Sequence, residues 1–110
     1  MNALRVLNLT LQGLTTHPNS RATVYIDGEA IPPIEVVTNI EPKKTVIINF
    51  AAPVGAAVVV QIPFISKGGE GFKATLKEAW KTEEEVVDFK LSFDSELFIV
   101  EFPMMIMALL

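Results

Sequence analysis

The chain has 110 residues, half of them hydrophobic and one-fifth charged, with a formal net charge of −4 and no cysteine. That composition describes a globular chain of single-domain size rather than a disordered one. The negative balance argues against nucleic acid as a partner, because phosphate binding needs a cationic surface, and the missing cysteines exclude disulfides, thiolate metal sites and thiol nucleophiles together.

The basic residues are scattered, with Lys43-Lys44 the only adjacent pair, so an anionic membrane surface is disfavoured as well. At the N-terminus, MNALRVLNLTLQG alternates and lacks the basic start, apolar block and small-residue cleavage site of a signal peptide. The Asn8-Leu9-Thr10 sequon matters only in a secreted, glycosylated chain.

Leu7, Leu9 and Leu11 alternate with Asn8, Thr10 and Gln12, the period-two pattern of a strand with one buried and one wet face. Thr15 to Ser20, with Pro18 and Asn19, reads as a loop. It holds His17, the single histidine, which has no nucleophile or orienting partner in a recognisable setting and reads as a surface residue. One imidazole without thiolates also makes zinc an unsuitable cargo.

Ala22, Val24 and Ile26 alternate with Thr23, Tyr25 and Asp27, placing Tyr25 on the polar face. Asp27-Gly28 is the two-residue signature of a type I′ hairpin, so it should join Thr23–Ile26 to Glu29–Ile31. Pro32-Pro33 then ends the ladder, since neither residue can donate. Glu41-Pro42-Lys43-Lys44 fits a turn with Pro at its second position, and Pro53-Val54-Gly55 fits another.

Val46-Ile47-Ile48, Ala56 to Ile62 and Leu97 to Leu110 are apolar on both faces. They read as central strands, or as strands whose outer face meets another subunit. Lys67-Gly68-Gly69-Glu70-Gly71 lacks the spacing and following helix of a phosphate loop. With Ser66 it reads as a flexible loop before the alternating Phe72, Ala74 and Leu76. Leu76 to Glu85 has the charge content of a helix, but Phe72–Trp80 alternates better than it repeats at helical spacing, so strand into turn is expected. Glu83-Glu84-Glu85, with Asp88 nearby, could hold a hard cation through carboxylate oxygens, yet no D-x-D-x-D-G pattern accompanies it and a solvated turn is the simpler reading. Val87, Phe89, Leu91 and Phe93 form a further alternating strand, ended by a turn at Asp94-Ser95.

Leu97 to Leu110, LFIVEFPMMIMALL, carries one charge, Glu101, and one turn residue, Pro103. It is too short for a transmembrane helix, which needs about 20 residues, and Pro103 opposes a helix. Each large apolar side chain left in water forfeits roughly 1.5–3 kcal/mol, so this run should be covered by its own fold or by a neighbour. Met104, Met105 and Met107 could ligate a soft metal, but with Ile106, Leu109 and Leu110 interleaved they read as adaptable apolar packing.

Together these elements describe a single all-β domain over residues 1–110, an antiparallel β-sandwich or jelly-roll-like fold of about seven or eight strands. The expected core is Leu7, Leu9, Leu11, Val24, Ile26, Val46, Ile48, Val58, Val60, Phe72, Leu76, Phe89, Leu91, Ile99 and Val100. No nucleophile–base pair, metal set or cofactor fingerprint is visible, so an enzyme is not expected. The expected role is structural: a subunit of a larger assembly, with a virion as first location and a capsid decoration or accessory protein as first type. Phe102, Met104, Met105, Ile106, Met107, Leu109 and Leu110 are the expected contact residues, against another copy or another subunit. The alternative is a monomeric carbohydrate- or ligand-binding module, motivated by the sandwich class and the wet-facing Tyr25. No family resemblance is carried by specific residues.

Overall fold

A computed structural model describes residues 4–18, 20–53, 55–67, 73–78 and 90–102. They form strands β1 (Leu4–Gln12), β2 (Leu14–Thr15), β3 (Thr23–Ile26), β4 (Glu29–Ile31), β5 (Glu35–Ile40), β6 (Thr45–Pro53), β7 (Val58–Pro63), β8 (Ser66–Lys67), β9 (Lys73–Glu78), β10 (Lys90–Asp94) and β11 (Leu97–Phe102). No helix occurs among the described residues. Sheet I has the order β5-β6-β1-β9 and sheet II the order β10-β11-β7-β3-β4, antiparallel throughout, and the two pack face to face as a sandwich. A third ladder pairs Leu14 and Thr15 with Lys67 and Ser66, so the start of the expected Ser66–Gly71 loop is a short strand.

In their described parts, the runs that are apolar on both faces contain interior strands. Strand β6 lies between β5 and β1, β7 between β11 and β3, and β11 between β10 and β7. An interior strand has neighbours on both edges, so even its outer-facing side chains are half covered. The alternation of buried and half-buried residues along β6 and β7 records this. Alternating side chains fill the space between the sheets: Leu7, Leu9, Leu11, Val46, Ile48, Phe50 and Leu76 from sheet I meet Val24, Val58, Val60, Ile62, Phe98, Val100 and Phe102 from sheet II, all at 3% exposure or less.

Asp27-Gly28 joins β3 to β4 as expected, with φ of 50° and 86° at the two central residues. Nothing stands within 4 Å of a Cβ built on Gly28, so its conformation and not crowding selects glycine. The turn is tied back to the β6–β7 connection: the Asp27 amide donates to the Ala57 carbonyl (2.8 Å), and the Ala57 amide donates to Asp27 Oδ1 (3.0 Å). The β5–β6 turn occupies residues 41–44, with a cis Glu41–Pro42 peptide and an exposed Lys44–Glu41 ion pair. Ser95 and Glu96 turn β10 into β11, one residue later than the expected Asp94-Ser95.

Leu91 departs from the expected core. Register puts it opposite Val100, on the inner face, yet it is 39% exposed because β10 is the edge strand of sheet II. Ile26 is half-buried against the core, and Ile99 is half-buried on the outer face between the inward Phe98 and Val100. Phe72 and Phe89 lie outside the described residues.

Candidate functional site

Four features of the described surface and interior hold side chains that the core does not use up. The first is the ladder on the outer face of sheet I. Asn8 of β1 stands opposite Asn49 of β6, which stands opposite Glu35 of β5. Thr10 Oγ1 donates to Asn8 Oδ1 (2.7 Å), Asn8 Nδ2 donates to Asn49 Oδ1 (3.0 Å), and Asn49 Nδ2 donates to Glu35 Oε1 (3.2 Å). Every donor points the same way, toward a carboxylate, an order in which successive bonds polarise one another.

The second lies on the opposite face of the same sheet. Arg5 shares the inward parity of Leu7, and Glu78 stands opposite Leu7 across the β1–β9 ladder. The two form an ion pair whose side chains are only 11% and 9% exposed, at the end of the sandwich where β9 finishes. The third is structural. Asn39, at φ 55° in the bulge between Val37 and Ile40, accepts from the Thr16 amide (3.0 Å) and donates to the Thr16 carbonyl (2.8 Å). Its side chain thereby serves a buried backbone segment that has no ladder partner of its own kind at that point, Thr16 being 1% exposed.

The fourth is a cleft of about 510 Å³ at the open side of the sandwich, where the chain crosses from β4 in sheet II to β5 in sheet I. Residues 20–23 leading into β3 form one wall, and Ala30 to Pro33 with Val36 form the other.

Of the expected contact residues, Phe102 is placed inside its own chain: it is 1% exposed, faces the core and stands opposite Val58. Its place is the interior and not a contact surface, because it shares the inward parity of Phe98 and Val100. Met104, Met105, Ile106, Met107, Leu109 and Leu110 lie outside the described residues, as do Trp80 and the Glu83-Glu84-Glu85 cluster. His17 is exposed, and its carbonyl accepts from the Ser20 amide (3.2 Å) and hydroxyl (2.8 Å), a turn bond. Tyr25 lies on the outer face of sheet II between Ala30 and Val59, half-buried, as its parity implies.

Among the described residues no three His, Cys, Asp or Glu side chains gather as a metal set, and no helix is long and apolar enough to cross a membrane. The ion pair, the Asn39 bridge and the cleft have no local sequence signal; each joins residues from distant strands. The chain matches no protein-family model, no curated protein and no solved structure.

Proposed function

We propose that this protein is a non-catalytic structural subunit of a larger assembly, with a capsid decoration or accessory protein as the first type to test. The observation that carries the reading is exposed apolar surface at the end of the sandwich where β11 finishes. Leu4 is 69% exposed and Val6 40% exposed on the outer face of sheet I, opposite Pro53 and Ala51. Pro53 ends β6 and Val58 begins β7 a short connection later; Phe102, the last residue of β11, stands opposite Val58. Strand β11 therefore finishes at the same end of the sandwich as Leu4 and Pro53, and Met104, Met105, Ile106, Met107, Leu109 and Leu110 follow it in sequence. The exposed Leu4 and Val6 suit burial against a neighbour, and unbranched methionine adapts to an irregular mate.

The test is size-exclusion chromatography with light scattering at micromolar protein. The expected result is a species larger than one chain, and a variant carrying Leu4→Glu with Val6→Lys, or one lacking Met104–Leu110, should lose that species while far-ultraviolet circular dichroism keeps its β signature. A wild-type chain that runs as a monomer overturns the reading. So does a deletion variant that unfolds, because the segment then belongs to the protein's own core.

A further inference from the structure

We infer that the cleft at the β4–β5 crossing is a binding site for a small amphiphilic anion, one with an apolar tail and a single carboxylate-like head. The walls and the charge each point there. Ile31, Pro32, Pro33 and Val36 present aliphatic surface to the cleft, and neither proline has an amide hydrogen to direct into it. A volume of about 510 Å³ falls within the roughly 300–1,000 Å³ of small-ligand pockets, which are apolar with a few placed polar groups.

The polar groups are of one sign. Among the described residues lining the cleft, Arg21 is the one ionisable side chain and none is a carboxylate. Among the described residues the Arg21 guanidinium makes no ion pair or hydrogen bond. The nearest acid in sequence to the Val36 wall, Glu35, faces the other way and accepts from Asn49. In a chain of net charge −4, an unpaired arginine lining an apolar cleft, with no carboxylate among the described lining residues, suits an external carboxylate. The planar fork of the guanidinium matches a carboxylate bidentately, and Ser20 and Thr23 also line the cleft. The site does not depend on the assembly reading, because neither Leu4 nor Val6 lines it.

The test uses three probes with one tail and different heads: octanoate, octanol and octylammonium, each titrated into the full-length protein and followed by amide chemical shifts. Octanoate is expected to give saturable shifts centred on Ala22, Thr23, Ile31 and Val36, with a Kd in the millimolar range typical of so small a ligand. Octanol should bind more weakly and octylammonium more weakly still. Arg21→Gln should weaken octanoate about tenfold, the order of one charge-assisted contact, and leave octanol unchanged. Ile31→Ala should weaken octanoate and octanol alike. Arg21 is exposed, so its replacement leaves the fold in place, and the dispersion of the same spectra reports this directly. Shifts centred elsewhere, no saturation, equal affinity for the three probes, or an Arg21→Gln variant that binds octanoate as well as wild type would each overturn the inference. None of these results bears on the oligomeric state, so failure here and failure of the assembly reading are separately visible.

Discussion

Strand β1 carries polar side chains to both faces of sheet I, and the two faces treat them differently. Outward, Asn8 and Thr10 join Asn49 and Glu35 in a chain of hydrogen bonds among groups that water can also reach. Inward, Arg5 meets Glu78 with about a tenth of each side chain exposed. The outer chain exchanges bonds to water for bonds to protein, so each link contributes only about 0.5–1.5 kcal/mol net. The inner pair has given up most of its hydration, so what matters is that each charge keeps its mate. Favourable geometry therefore says little about how much a polar contact matters; the state of its partner after the contact is broken says more.

The largest expected effect is on the inner pair. Glu78→Leu or Arg5→Met alone should lower stability by about 3–5 kcal/mol, because the remaining charge loses its ion-pair partner in a nearly dry position. The double variant Arg5→Met with Glu78→Leu should recover most of that loss, since two apolar side chains of similar length refill the site without a charge to strand. Urea unfolding of the four proteins in one cycle measures it. If the single variants cost no more than the ~0–1 kcal/mol of a surface pair, the end of the sandwich near Glu78 is wet, and the contrast between the two faces disappears.

Much of this contrast was legible one strand at a time. Parity assigns Leu7, Leu9 and Leu11 inward and Asn8 and Thr10 outward, and the buried Val46, Ile48, Val58 and Val60 follow the same rule. The Asp27-Gly28 pair specified its hairpin because type I′ geometry demands positive φ at both central residues. Parity does not report distance from a sheet edge, and so Leu91 faces inward and remains exposed. Nor can it decide phase in a run that is apolar throughout. Ile99 and Val100 are neighbours and cannot both face the core; the interior takes Phe98, Val100 and Phe102. Leu14 was missed for a related reason: Gly13 at φ 86° interrupts the alternation just before it. The pairing of Arg5 with a residue 73 positions away and the meeting of Arg21 with Pro32 and Pro33 across a chain crossing are products of topology. No local pattern encodes them.

Asn39 lies between the two extremes. Like the outer ladder it is a side-chain amide, but like the inner pair it serves a partner that water does not reach, the backbone of Thr16. Asn39→Ala should therefore cost roughly 2–4 kcal/mol, from two lost bonds to buried backbone groups together with a left-handed residue that has a Cβ and no polar side chain to support it. Asn39→Gly loses the same bonds but accepts φ 55° without strain, so it should be about 1 kcal/mol less damaging than alanine. Denaturation midpoints of the two variants separate the hydrogen-bond loss from the backbone cost. Equal losses would mean that the bulge relaxes out of its left-handed conformation when the side chain is removed.

The smallest effect belongs to the outer ladder, and it sharpens the comparison most. Asn49 occupies the middle of the chain, receiving from Asn8 and donating to Glu35, so Asn49→Ala removes two links at once. Both former partners can then turn to solvent, and the cost should stay within about 0.5–1.5 kcal/mol. Thr10→Val removes only the first donor and should cost less, because valine also suits a strand face. A cycle combining the two substitutions tests whether the one-directional order matters: independent links would add, whereas mutual polarisation makes the double loss smaller than the sum of the singles, since the first deletion has already weakened the bond the second removes. A loss at Asn49 as large as that at Glu78 would mean the outer face is as dry as the inner one, which for a face open in the single chain would require a second molecule lying over it.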